Sequence, residues 1–165
     1  MAEVAADKTT PDTRLADDAL ERNPASVASL VQLTQGGLHI ARPPWGPTSP
    51  PQGGAPLHAR LRYFDPAKRR AGLPDDVGAL VDSLAADRTG VTLVNLNPSR
   101  ERTVTVQGGA YAEHIIVAVN DGKQTHAVNA PAFDLLLAPG ANVRLDLAMR
   151  RYASQPTLAF PWDAA

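Results

Sequence analysis

Gly90 to Asn120 reads GVTLVNLNPSRERTVTVQGGAYAEHIIVAVN, and this stretch decides the fold class. Apolar residues alternate in three short runs: Val91–Leu96, Thr103–Gln107 and Glu113–Val119. Period-two alternation of β-branched residues marks strands with one buried face. Asn97-Pro98-Ser99-Arg100 supplies turn chemistry after the first run, because proline fixes φ and the Asn and Ser side chains bond nearby backbone. Gly108-Gly109 reopens the chain before the third, where positive φ carries no steric cost for glycine. The pattern predicts a meander of three consecutive strands. It carries no catalytic signature.

Composition sets the outer bounds. A chain of 165 residues is the size of one ordinary domain with a proper core. Hydrophobic content of 44% and charged content of 20% belong to a globular protein. A formal net charge of -1 gives no basic field for nucleic acid or an anionic membrane. The absence of cysteine removes disulfides, thiol nucleophiles and thiolate metal sites together. The polar N-terminus MAEVAADKTTPDTR lacks the apolar core of a signal peptide. No run approaches the roughly 20 apolar residues of a spanning helix. These features predict a soluble chain, cytoplasmic if complete.

Proline and glycine divide the chain. Six prolines between Pro43 and Pro56 stand among Gly46, Gly53 and Gly54, separating an N-terminal helical arm, 1–37, from a β-sandwich body, 57–165, by a linker, 38–56. In the arm, Asn23-Pro24 is a helix start, and Val27, Leu30 and Val31 form an apolar stripe that Gly36-Gly37 ends. The linker's ARPPWGPTSPPQGG has the composition of a polyproline II connector or of a projecting loop anchored by Trp45.

Within the body, Leu57–Phe64 alternates as a half-buried strand, with Leu57, Ala59, Leu61 and Tyr63 inward and His58, Arg60 and Arg62 outward. Asp75-Asp76 is expected to cap one inserted helix running to Ala85, with Val77, Leu80, Val81 and Leu84 as its buried stripe. Lys68-Arg69-Arg70 reads as a solvated turn. Asp121-Gly122-Lys123 is a hairpin signal joining Glu113–Asn120 to Gln124–Asn129. Phe133–Leu137 and Asn142–Met149 follow as strands, the latter with Val143, Leu145, Leu147 and Met149 inward. Leu158, Phe160 and Trp162 alternate in the tail and predict an edge strand or a cover over the sandwich mouth. The sum is an antiparallel β-sandwich of about 7–8 strands with one inserted helix.

The search for chemistry finds little. No Gly-x-Ser-x-Gly elbow, Walker loop or metal-binding His-x-x-x-His pair is present, and no metal or cofactor is implied. The best polar constellation is Tyr111, Glu113, His114 and His126, weak candidates for ligand binding. Neighbouring strand residues point to opposite faces, which separates Glu113 from His114 and makes them surface or capping residues. Arg60, Arg62, Arg144 and Asp146 read as cross-strand charges on solvent faces, and Asn95, Asn97, Asn120 and Asn129 as turn and edge chemistry. Trp45, Tyr111, Tyr152 and Trp162 are the aromatics left over for a glycan platform.

The strand closing on Asn95-Leu96-Asn97-Pro98, with Ala138-Pro139-Gly140 leading into the alternating Val143-Arg-Leu-Asp-Leu, resembles the C-terminal β-sandwich appended to many bacterial glycoside hydrolases. The resemblance covers roughly Leu57 to Trp162 and its motifs are generic. It implies a sandwich that packs on a catalytic barrel and holds no catalytic residue, with the helical arm as the last barrel helix. No catalytic domain precedes the body in this sequence, so the resemblance implies a fragment or a small subunit. The expected partner is a larger catalytic domain or protein chain, or a second copy, met through Trp45, Val27, Leu30 and Val31. The alternative is a free-standing sandwich that binds a glycan or small molecule near Tyr111 and His114.

Overall fold

In the computed structural model of the chain, residues 33–37 and 59–163 are described. The described residues are mainly β. The strands are β1 (Leu61–Asp65), β2 (Arg70–Ala71), β3 (Val77–Leu84), β4 (Arg88–Asn95), β5 (Arg102–Gly108), β6 (Ile115–Asn120), β7 (Thr125–Ala130), β8 (Ala132–Leu137) and β9 (Asn142–Arg150). They form two antiparallel sheets, one of four strands in the order β2-β1-β5-β8 and one of five in the order β3-β4-β9-β6-β7.

One hydrophobic core takes its side chains from both sheets. The four-stranded sheet supplies Leu61, Tyr63, Val104, Val106 and Leu137, and the five-stranded sheet Val91, Leu93, Ile116, Leu145, Leu147 and Met149. Val91, Leu93, Val104, Val106, Leu145 and Leu147 are buried as their alternation predicts, and Val143 packs partly buried at the margin.

The meander does not form. β4 and β6 lie in the five-stranded sheet and β5 in the other, so the chain changes sheet twice within the quoted stretch. Asn95 explains the first crossing. Its buried amide nitrogen donates to Arg100 O at 2.8 Å, Ala138 O at 3.0 Å and Leu137 O at 3.2 Å. It thereby ties the end of β4 to the end of β8 in the opposite sheet. Asn97 Oδ1 accepts from the amides of Ser99 and Arg100, at 3.0 and 2.9 Å, and shapes the bend between the sheets.

The inserted helix is also absent. Asp76 takes a left-handed φ of 63° and the chain continues as β3, paired with β4 from Val77↔Asn95 to Leu84↔Thr89. Val77, Val81 and Leu84 satisfy a helical stripe, but Val77, Ala79 and Val81 satisfy a strand equally well. Gly78 disfavours the helix by about 1 kcal/mol relative to alanine. β4, with Thr89, Val91, Leu93 and Asn95 buried, needs a hydrogen-bonded neighbour on that edge, and tertiary pairing decides.

Other expectations hold. The β6–β7 hairpin turns at Asp121-Gly122, where Asp121 Oδ1 accepts from the amides of Lys123 and Gln124 and Gly122 has φ 85°. Residues 33–35 are helical and end at Gly36 with φ 64°. The rest of the arm, including Val27, Leu30 and Val31, and the linker with Trp45 lie outside the described residues. The tail adds no strand. Its Phe160 and Trp162 rings stack on each other and meet Phe64 edge-on, at 5.9 and 5.8 Å, on the outer face of the four-stranded sheet.

Replacing Asn95 with alanine removes the side-chain bonds to the Arg100, Leu137 and Ala138 carbonyls and from Asn97 N, and a buried hydrogen bond contributes about 0.5–1.5 kcal/mol. Urea denaturation of Asn95→Ala should register at least that loss.

Candidate functional site

The chemistry-bearing side chains gather where β5 gives way to β6. Gly108 donates its amide to Pro131 O at 2.8 Å and accepts His114 N at 3.1 Å, so the loop between them closes on itself. Gly109 follows with φ 86°, and its amide donates to Arg60 O at 2.8 Å. The Glu113 carboxyl folds back against Gly109, in the space a Cβ there would occupy. Glu113 Oε2 accepts from Tyr111 N at 2.7 Å. Arg62 Nη1 donates to Ala110 O at 2.9 Å and holds the loop from β1.

His114 is fully buried, and its Nδ1 accepts the amide of Tyr152 at 3.1 Å. The Tyr152 ring stands edge-on to the imidazole with centroids 4.8 Å apart. An accepting Nδ1 places the proton of the neutral ring on Nε2. That Nε2, Glu113 Oε1, Arg60 Nη1 and Arg151 Nε are all buried without a hydrogen-bond partner. Burial holds the His114 pKa below its ordinary 6.5, Glu113 opposes this, and Arg151 and Arg60 reinforce it. Burial, then the neighbouring Arg151 charge, likewise lowers the Arg60 pKa. Two non-glycine residues flanking the pair are left-handed, Ala112 at φ 60° and Tyr152 at φ 52°.

The four sequence candidates separate. Tyr111, Glu113 and His114 share this loop, whereas His126 is exposed on β7 opposite Val119, towards the far end of the hairpin. Glu113 and His114 are not surface residues: their exposures are 1% and 0%. β6 begins only at Ile115, so the face rule for strands does not govern them. Arg60, expected on a solvent face, is 9% exposed: Gly109 N donates to its carbonyl, its own amide donates to Gln35 O, and Gly36 lies against its Cβ. Arg144 pairs with Asp82 at 2.9 Å and Arg88 with Asp146 at 3.5 Å, so Arg144 and Asp146 are cross-strand charges as expected. Arg60, Arg151 and Tyr152 were not legible as members of the cluster. The one available signal was the end of alternation after Met149.

Chemically the cluster offers a neutral imidazole beside a carboxyl group. The imidazole's lone pair is committed to a backbone amide. Among the described residues no three His, Cys, Asp or Glu side chains stand close enough to hold a metal ion. No protein-family model, curated protein or solved structure matches the chain.

Gly109→Ala should destabilise the fold by about 1 kcal/mol or more, from positive φ and from displacement of the Glu113 carboxyl. Thermal melts would show this, and a wild-type melting temperature would count against the loop packing. Acid has a defined effect. The folded state binds a proton at His114 less readily than the unfolded chain, so its contribution is complete above about pH 6.5 and lost as pH falls toward the folded pKa. The exposed carboxylates Asp75, Asp76 and Asp121, held below 3.8, lose their contributions only at lower pH. Denaturation midpoints across mild acid should therefore fall in the wild type and stay flatter in His114→Asn.

Proposed function

We propose that the body, 57–165, is a non-catalytic β-sandwich module that packs on a larger, carbohydrate-active bacterial protein, as a domain of the same chain or as a small subunit. The observation that carries this reading is the commitment of Glu113 and His114. Both are sealed in the interior and both spend hydrogen bonds on backbone amides. Neither is presented to a substrate. The motifs behind the resemblance support the same reading. Asn95 Nδ2 donates to Ala138 O, and Gly140 N donates to Asn97 O at 2.9 Å, so the Asn-x-Asn-Pro strand end and the Ala-Pro-Gly turn act as one structural knot.

The partner surface in this reading is the arm and linker, with Trp45, Val27, Leu30 and Val31 as anchors. Truncating a buried interface anchor costs about 2 kcal/mol or more, which is about thirtyfold in affinity. Taken from the cell that makes it, the module should migrate with, or as part of, a polypeptide that hydrolyses glycosides. Trp45→Ala should weaken that association or self-association and leave the melting temperature unchanged. A free monomer with no glycosidase attached would overturn the proposal.

A second reading, a glycan or small-molecule site at the Tyr111–His114 loop, is favoured by one feature. Left-handed backbone at Ala112 and Tyr152 brackets polar atoms without partners, and such strain collects at functional sites. Saccharides that raise the wild-type melting temperature, but not that of Glu113→Gln, would select it.

A further inference from the structure

The chain after β9 leaves the five-stranded sheet and runs back over the outer face of the four-stranded one. Three of its amides reach the same loop. Tyr152 N donates to His114 Nδ1 at 3.1 Å, Ser154 N to Glu113 O at 3.3 Å and Thr157 N to Tyr111 O at 2.8 Å. Farther along, Phe160 and Trp162 cover Phe64, which is 1% exposed although it points away from the core. Arg69 secures the end, with its guanidinium over Trp162 and 3.6 Å from Asp163. Of the three acceptors along the loop, two are carbonyls that no ordinary pH changes. The third is an imidazole nitrogen.

We propose that His114 is the latch of a C-terminal strap, residues 152–163, and that protonation of its ring frees the strap and uncovers Phe64. A protonated imidazole carries hydrogen on both nitrogens and cannot accept. The Tyr152 amide would then point at an N–H, and the contact turns from attraction to repulsion. The surroundings sharpen the switch. Arg60, entering β1, and Arg151, leaving β9, both act against a charged His114, while Glu113 on the same loop acts in its favour. Tyr152 packs its ring edge against the imidazole. A buried imidazolium with two guanidinium charges acting on it is relieved by opening towards water, and 152–163 is the adjoining segment without strand pairing. Tyr152, with φ 52°, is already in a conformation costly for a non-glycine residue, so release relaxes it.

Hydrogen exchange resolved by residue, on the intact chain from about pH 7.5 down through the His114 midpoint as its ring resonances report it, tests the latch. Below the His114 midpoint the neutral acceptor declines about tenfold per pH unit. Protection at Tyr152, Ser154 and Thr157 should follow it down, after correction for intrinsic exchange, while amides of β4 and β9 keep theirs. In His114→Asn, whose side-chain oxygen can accept but does not titrate, strap protection should be independent of pH. Equal strap protection above and below the His114 midpoint in the wild type overturns the proposal, as does a parallel loss in His114→Asn. If that variant does not fold, wild-type NMR decides. The Tyr152 amide shift and the His114 ring must titrate with one midpoint, and separate midpoints refute the latch.

Discussion

The Asn95 side chain is the constraint on which the two-layer arrangement depends. Its amide has two hydrogens and one oxygen, and all are used. The nitrogen reaches the carbonyls of Arg100, Leu137 and Ala138, and Oδ1 accepts from Asn97 N at 3.0 Å. Sheets that pack face to face lie about 10 Å apart, too far for backbone ladders to connect. Something must fix the vertical alignment of one over the other, and a short buried side chain bonded to both is a rigid way to do it. Once Asn95 is seated, the β4–β9 ladder on one side and the β5–β8 ladder on the other are set in register, because each begins within a few residues of the knot.

Most strand positions other than β3 were legible in the sequence, and strand partners, the β6–β7 hairpin apart, were not. Alternation reports that one face of a strand is buried, and it placed Val91, Leu93, Val104, Val106, Leu145 and Leu147 correctly. It says nothing about which neighbour supplies the hydrogen bonds. Six residues, 96–101, can turn a hairpin or cross between sheets, and the difference lay in the reach of Asn95, which no periodicity encodes. The run after Asp76 shows a related ambiguity. Val77, Val81 and Leu84 fit a helix and Val77, Ala79 and Val81 fit a strand. The choice came from β4, whose Val91 and Leu93 are wholly buried and whose edge would otherwise hold unpaired backbone.

The candidate cluster was half legible. Tyr111, Glu113 and His114 stand close in sequence, but they precede β6, so strand alternation does not govern where they point. Gly108 and Gly109 do more than permit a bend: the space left by the missing Cβ atoms is filled by His114 backbone and by the Glu113 carboxyl. That close approach draws Glu113 inside. The arginines come from distant parts of the chain, before β1 and after β9. Arg60 sits at an outward position of an alternating strand, where a charge is normally solvated. Contacts from Gly109 and from Gln35-Gly36, both remote in sequence, make it interior.

The two outer faces of the protein differ, and the difference explains why the chain continues past β9. The five-stranded sheet presents Asp82, Arg88, Arg144 and Asp146, paired across strands and stable against water without cover. The four-stranded sheet points Phe64 outward, with only the Arg62 guanidinium, 4.9 Å from the ring centroid, as cover from its own strand. An exposed phenylalanine forgoes about 1.5–3 kcal/mol of burial, so a second aromatic layer is favoured there. Phe160 and Trp162 provide it, but only if the segment leading to them is held down. The Tyr111–His114 loop supplies the acceptors that hold it. The polar cluster and the closure of the fold are therefore one structure: the groups that look most like a site by composition are those that fasten the last layer in place.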